Sequence, residues 1–149
     1  MQAGVILLFL GLLSYGICDM DFVDCGTGDL FVEEVQIEGC SKVPCILYRS
    51  STYTVNIKAD HLDPMVTSVD LEATANVRGA LFYIEATSDH PCVVDCPLQT
   101  RLTDPQIPIN IFMNRYMMPG LTNIMVKATF KNNNQVGSSF CVKFDVDVY

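Results

Sequence analysis

The stretch Phe140-Cys141-Val142-Lys143-Phe144-Asp145-Val146-Asp147-Val148 decides the fold class of this chain. Aromatic and aliphatic residues occupy every second position of the stretch, and lysine and aspartate alternate with them from position 143 onward. Because successive side chains of a β-strand point to opposite faces, this alternation predicts a strand with one dry face and one wet face.

The same period of two recurs along the chain, and long helical periodicity is absent. Segments 53–58, 69–76 and 124–130 alternate clearly, and weaker strand patterns run from Val32 to Ile37, Ala80 to Ala86 and Ile107 to Phe112. Arg78-Gly79, the run Asn132-Asn133-Asn134 and the pair Pro105/Pro108 supply turn signals between them. We therefore predict an all-β protein, an immunoglobulin-like antiparallel β-sandwich of about seven strands.

The amino-terminal segment has the features of a signal peptide. An apolar run from Val5 to Leu13 is followed by the small-residue site Gly16-Ile17-Cys18, so we expect cleavage before Asp19. The run is shorter than the roughly 20 residues of a membrane span. This predicts a secreted, extracellular product, with the lysosomal lumen as an alternative destination, made of a single domain at residues 19–149.

The charge of the chain limits its partners. All charged side chains follow the predicted leader, so the formal net charge of -8 belongs to the mature protein. Such an acidic balance argues against nucleic acid as a partner, but it does not argue against an uncharged lipid.

Six cysteines remain after the leader, and an even set in an exported chain of this size predicts three disulfides. Cys40 and Cys45 bracket one short loop, and Cys92 and Cys96 bracket another, so two local bridges are favoured. Cys25 and Cys141 are then left to join the first strand region to the last. The residue types in Asp89, His90, Cys92, Asp95 and Cys96 also suit zinc, but an oxidising compartment favours the disulfide, and we predict no metal.

The sequence contains no motif for catalysis. His61 and His90 lie in polar, loop-like segments, and neither accompanies a recognisable nucleophile or metalloprotease motif. We predict no enzyme activity, no catalytic residue and no cofactor. Both histidines are interpreted as solvated loop residues, with a pH-sensing role as the alternative.

Several motifs resemble one known family. Asp24-Cys25-Gly26, Cys40-x4-Cys45, the strand 53–57, Arg78-Gly79, Cys96-Pro97 and Phe140-Cys141 are together similar to the ML lipid-recognition domain family. Within it, the chain resembles the group of Niemann-Pick type C2 proteins and their arthropod relatives. The resemblance covers nearly all of the mature chain, and the first three cysteines with the Asp-Cys-Gly opening are its specific part.

The resemblance implies a hydrophobic lipid held between two splayed sheets, and the disulfides Cys25–Cys141, Cys40–Cys45 and Cys92–Cys96. It places Ile109 and Met118 near the mouth of the cavity. The residues implied for ligand binding are Tyr53, Val55, Phe82, Ile84, Ile109, Met118, Ile124, Val126, Ala128, Phe130, Val142, Phe144 and Val146.

The chain departs from the sterol carriers of that family at two wall positions. Ala128 and Val142 stand where the vertebrate sterol carriers have tryptophans, so a fatty acid or an apolar semiochemical becomes as good a candidate ligand as a sterol. Met117 and Met118 before Pro119 suit an adaptable rim, because thioethers repack around different ligands, or are ordinary loop packing.

Three functions are compatible with this interpretation. The first is a secreted carrier that binds and transfers a lipid to a membrane or receptor acceptor. The second is an innate-immune module that presents a microbial lipid to a receptor, for which Arg115 is the one candidate cation at the mouth. The third is an extracellular interaction domain whose core is filled by its own side chains.

Overall fold

The computed structural model of the chain describes residues 17–26, 28–60, 66–88, 106–133 and 135–149. These residues form β-strands and connecting turns, and none of their segments is a helix that could cross a membrane. The ten strands are, in chain order, β1 (Ile17–Asp19), β2 (Phe22–Asp24), β3 (Val32–Glu38), β4 (Cys45–Leu47), β5 (Ser51–Ala59), β6 (Ser68–Val77), β7 (Ala80–Thr87), β8 (Gln106–Met113), β9 (Gly120–Asn132) and β10 (Gln135–Val148).

The seven strands predicted from alternation are confirmed as β3 and β5 to β10. Three further strands, β1, β2 and β4, contain only three residues each, too few to show a period of two. Strand β1 spans the predicted cleavage point between Cys18 and Asp19, and the leader itself stays a prediction.

The strands form one continuous array that curls into two layers, with the order β1-β3-β5-β8-β7-β6-β9-β10-β2. We call β1, β3, β5 and β8 the front sheet, and β6, β9 and β10 with β2 and β4 the back sheet. All neighbours pair antiparallel except β4, which runs parallel to the carboxyl-terminal part of β10. The expected antiparallel sandwich is therefore confirmed.

Strand β7 connects the two sheets because its two parts pair with different partners. Ala80 to Ile84 pair with β6 of the back sheet, whereas Glu85 to Thr87 pair with β8 of the front sheet. A strand that changes sheets in this way makes a corner between the layers of a sandwich. The predicted turn before β7 is also confirmed, since Arg78 and Gly79 both have positive φ, at 51° and 87°.

One turn signal was wrong. Pro108 lies inside β8, opposite Asn56 of β5, and not in a turn. Its carbonyl accepts a hydrogen bond of 3.0 Å from the hydroxyl of Ser88, just beyond the end of β7. A proline is tolerated there because no neighbouring strand requires its missing amide donor on that side.

Two disulfides tie this framework together. Cys25 and Cys141 are joined with their Cα atoms 5.1 Å apart, and Cys40 and Cys45 with theirs 5.5 Å apart. The amide of Cys25 also donates a 2.9 Å hydrogen bond to the carbonyl of Cys141. The predicted third pair, Cys92–Cys96, lies outside the described residues.

Candidate functional site

The inner faces of the two sheets are apolar and belong to one continuous cluster of buried side chains. On the front sheet, β5 contributes Val55 and Ile57, and β8 contributes Ile109 and Ile111, all of them unexposed. Their alternation with polar neighbours puts every second residue on this face. The inner face of the back sheet carries Ala73, Ala75, Val77, Ile124, Val126, Ala128, Phe130, Phe140, Val142, Phe144, Val146 and Val148.

Every residue predicted for ligand binding is described by the structure, and all but Met118 belong to this cluster or pack against it. Tyr53, Val55 and Ile109 lie on the front sheet, Phe82 and Ile84 on β7, and the others on β9 and β10, except Met118, which lies in the loop before β9. Tyr53 and Phe82 are only partly buried. The structure thus brings these side chains to the inner faces, while their role in holding a ligand stays a prediction.

Small side chains are concentrated on the inner face of the back sheet. Val142 of β10 faces Val126 of β9, which in turn faces Ala73 of β6. The next row of inward side chains across the same three strands contains Phe140, Ala128 and Leu71. The row on the opposite side of the Val142–Val126–Ala73 row ends at Ala75 of β6. Alanine reaches less far from the sheet than the aliphatic residues around it, so Ala73, Ala75 and Ala128 contribute the shortest side chains of this face.

Sequence reasoning missed several residues of this surface. Ile57 and Ile111 continue the front face beside predicted Val55 and Ile109, and both follow from the same alternation. Ala73 and Ala75 appeared in an alternating strand but did not stand out as wall residues, because alanine is common on any buried face. Met117 could not have been chosen over Met118, since the conformation of a loop decides which of two adjacent side chains turns inward.

One end of the sandwich combines arginines with exposed apolar and aromatic side chains. We call it the arginine end; it consists of the turns 48–50 and 78–79, the loop 114–119 and the neighbouring Leu121 and Tyr149. Backbone contacts hold it together: the Ser50 amide donates to the Met113 carbonyl at 2.6 Å, and the Arg49 amide to the Tyr149 carbonyl at 2.9 Å. Arg49, Arg78 and Arg115 are all exposed there.

The loop of the arginine end separates its two adjacent methionines. Met117 is buried beneath the loop, whereas Met118 is 39% exposed. The Arg115 guanidinium lies 4.6 Å from the centre of the Tyr116 ring and also hydrogen-bonds its hydroxyl. The exposed side chain of Tyr116 therefore already engages the cation that sequence reasoning placed at the mouth.

A pair of tyrosine rings completes the arginine end. The ring centres of Tyr48 and Tyr149 lie 6.4 Å apart. The negative charge of Asp147, and then the hydrogen bond that it accepts, raise the pKa of Tyr149 above its ordinary value of 10.0. The Tyr149 phenol therefore remains neutral at physiological pH. Beneath the pair, the amide of Tyr48 donates a 2.7 Å hydrogen bond to the hydroxyl of Tyr53.

Two grooves have polar and charged side chains in their walls. One, of about 280 Å³, is lined by Thr52, Glu85, Thr87, Asn110 and Phe112. The other, of about 320 Å³, is lined by Asp19, Met20, Phe22, Glu33, Glu34, Val35 and Lys58. Both present carboxylates, so neither matches a lipid chain as well as the inner faces do.

The other candidate chemistry falls partly outside the described residues. The residues outside the described ranges include His61, His90 and the possible zinc ligands around Cys92 and Cys96. Among the residues that the structure does describe, no group of histidine, cysteine or carboxylate side chains is arranged to hold a metal ion.

Two curled β-layers packed through apolar inner faces define the class of immunoglobulin-like β-sandwiches. Comparison with models of known protein families finds no match. A zebrafish (Danio rerio) protein named NPC intracellular cholesterol transporter 2 is 30% identical over 153 residues, which cover 97% of this chain and 95% of that protein. A crystal structure of a Niemann-Pick type C2 protein from the Japanese carpenter ant has the same fold, with a TM-score of 0.58, 20% identity, and coverage of 87% of this chain and 99% of that one.

The chain belongs to the ML lipid-recognition domain family, in its Niemann-Pick type C2 group. Members of this group are lipid-binding carriers without enzymatic activity. The protein is secreted, and its compartment is the extracellular space or the lysosomal lumen.

Proposed function

We propose that this protein is a non-enzymatic carrier that holds one hydrophobic lipid between its front and back sheets and passes it to an acceptor. The observation that carries the proposal is the chemistry of the two inner faces. Val55 and Ile109 on one side and Val126 and Val142 on the other are apolar and unexposed. A lipid chain between such faces leaves water without meeting an unpaired charge.

The strength of binding follows from the size of the ligand. A lipid of about 20 heavy atoms at roughly 0.3 kcal/mol per atom binds with about 6 kcal/mol, which corresponds to tens of micromolar. Somewhat better contacts bring the dissociation constant to the micromolar range. Such affinity suits exchange between a donor and an acceptor better than permanent storage.

The ligand class in this proposal is a sterol, a fatty acid or an apolar semiochemical. Ala128 and Val142, which occupy the tryptophan positions of the vertebrate sterol carriers, are both unexposed on the inner face of the back sheet. Smaller side chains at these positions either enlarge the space between the sheets or change how the sheets meet. The wall therefore does not select for the flat ring system of a sterol alone.

For delivery, we infer that the arginine end contacts the acceptor, a membrane or a receptor. Tyr116, Leu121 and Tyr149 are exposed by 70%, 63% and 55%, respectively. Amphipathic aromatic rings beside arginines suit the boundary between water and an apolar phase. Presentation of a microbial lipid to a receptor is the weaker alternative, because the guanidinium of Arg115 is already stacked on Tyr116.

Native mass spectrometry tests the carrier function. Protein purified without detergent is measured before and after extraction with organic solvent. The proposal predicts an extra mass of lipid size before extraction, and its return when oleyl alcohol or cholesterol is added. Protein that shows no bound mass before extraction and takes up neither lipid afterwards would support a filled interaction domain instead.

A further inference from the structure

Thr122 is a polar residue on the apolar inner face of the back sheet. It lies in β9, opposite Val146 of β10 on one side and Val77 of β6 on the other. Thr122 and both valines are completely unexposed. Because residues directly paired across strands point to the same face, the Thr122 side chain points into the space between the sheets.

The other buried polar side chain among the described residues does not share this position. Thr74 is 4% exposed, and it pairs with Tyr83 and Met125 on the outer face of the back sheet. In the described part of the interior, Thr122 is therefore the buried polar side chain that faces the proposed ligand.

The hydroxyl of Thr122 is a hydrogen-bond acceptor with free capacity. Its Oγ1 donates to the carbonyl of Gly120 at 2.9 Å, so its one proton is used. A threonine hydroxyl has two further lone pairs, and no donor from the described residues reaches them. A buried acceptor among valines is stabilised when a donor binds to it, since its apolar neighbours offer no hydrogen bond.

We propose that Thr122 Oγ1 accepts a hydrogen bond from a hydroxyl group of the bound lipid, and so selects neutral, hydroxyl-bearing lipids such as long-chain or cyclic alcohols. This inference rests on the proposed carrier function and specifies its ligand. The polar head then lies toward the arginine end, because Thr122 is the third residue of β9, which begins at Gly120. An ionised carboxylate is disfavoured there, because it offers only acceptors and would bring a charge into an apolar surrounding.

The test compares two probes that differ in one donor, 1-hexadecanol and hexadecyl methyl ether. Their affinities are measured by displacement of the fluorescent probe N-phenyl-1-naphthylamine from the full chain. The native protein should prefer the alcohol by about fivefold to tenfold, the effect of one buried hydrogen bond. Thr122→Val should abolish this preference, because it lowers the affinity for the alcohol and leaves the affinity for the ether unchanged.

Two matched variants accompany this substitution. Thr74→Val removes a buried hydroxyl from the outer face and should retain the preference for the alcohol. Thr122→Ser keeps the hydroxyl and should also retain the preference for the alcohol. If Thr122→Val does not fold, Thr122→Ser is compared with Thr122→Ala instead. An equal loss for both probes in Thr122→Val, or an undiminished preference, would overturn the role of Thr122 while leaving the carrier function intact. Native protein that binds neither probe would overturn both.

Discussion

Val126 and Val142 lie directly opposite each other in the pairing of β9 and β10, and neither side chain is exposed. Because the pair points inward from the middle of the back sheet, larger side chains at these two positions would occupy the space of the proposed ligand. Val126→Phe or Val142→Trp should therefore fill this space and weaken the binding of a fluorescent fatty acid by about tenfold or more, since binding energy depends on contacts that the new ring occupies.

The matched control is Lys143→Trp, which places the same ring one residue further on, on the exposed outer face. It should leave binding unchanged. Thermal unfolding distinguishes a carrier from a domain with a filled core. A ring forced into a fully packed core lowers the free energy of unfolding by about 1–3 kcal/mol, whereas a ring that enters an existing cavity does not. Undiminished binding in both inner variants would place the ligand elsewhere.

The two described disulfides should contribute unequally to stability. Cys25 and Cys141 are separated by 116 residues, and Cys40 and Cys45 by 5. In the chain-entropy model, replacing the first pair by alanines lowers the free energy of unfolding by about 4–5 kcal/mol, and replacing the second by about 2 kcal/mol. Urea unfolding of the two double variants measures both values. A larger loss from the Cys40–Cys45 pair would contradict this ranking.

Substitutions at the arginine end should separate lipid delivery from lipid binding. Tyr116→Ser and Leu121→Ser remove exposed apolar groups and leave the inner faces intact. Transfer of a fluorescent lipid to vesicles should slow several-fold, while the affinity for the lipid stays constant. Tyr83→Ser is the control, because Tyr83 is 79% exposed on the outer face of the back sheet. Equal slowing in this control would argue against a specific contact surface.

Binding of an uncharged lipid should be nearly independent of pH. The unexposed side chains of the described inner faces include no carboxylate, lysine or histidine, and the raised pKa of Tyr149 keeps that phenol neutral. Affinity for oleyl alcohol should therefore change by less than about twofold between pH 5 and pH 7.5, the range in which histidine titrates. A larger loss at pH 5 that disappears in His61→Gln or His90→Gln would establish the pH-sensing alternative.

The strands themselves were predictable because alternation is a local property of the sequence. Segment 140–148 places Val142, Phe144 and Val146 on one face whatever the rest of the chain does, and the structure agrees. The short strands β1, β2 and β4 were not predictable, since three residues show no period. They pair only because β3 and β10 offer free edges.

The assembly of the candidate site was only partly predictable. Nothing local in β7 indicates that its pairing changes sheets between Ile84 and Glu85. Thr122 was also overlooked, because a threonine beside an asparagine in a strand is usual on a wet face. Its inward position follows from its register with Val77 and Val146, which depends on contacts distant in the sequence.

Methyl NMR during titration with oleyl alcohol tests the occupied interior most directly. The methyl signals of Ile109 on the front sheet and of Val126 and Val142 on the back sheet should shift to saturation with one equivalent of lipid. Signals of the exposed outer-face residues Val23 and Leu81 should remain in place. Shifts confined to those outer methyls, or no shifts at saturating lipid, would contradict the account.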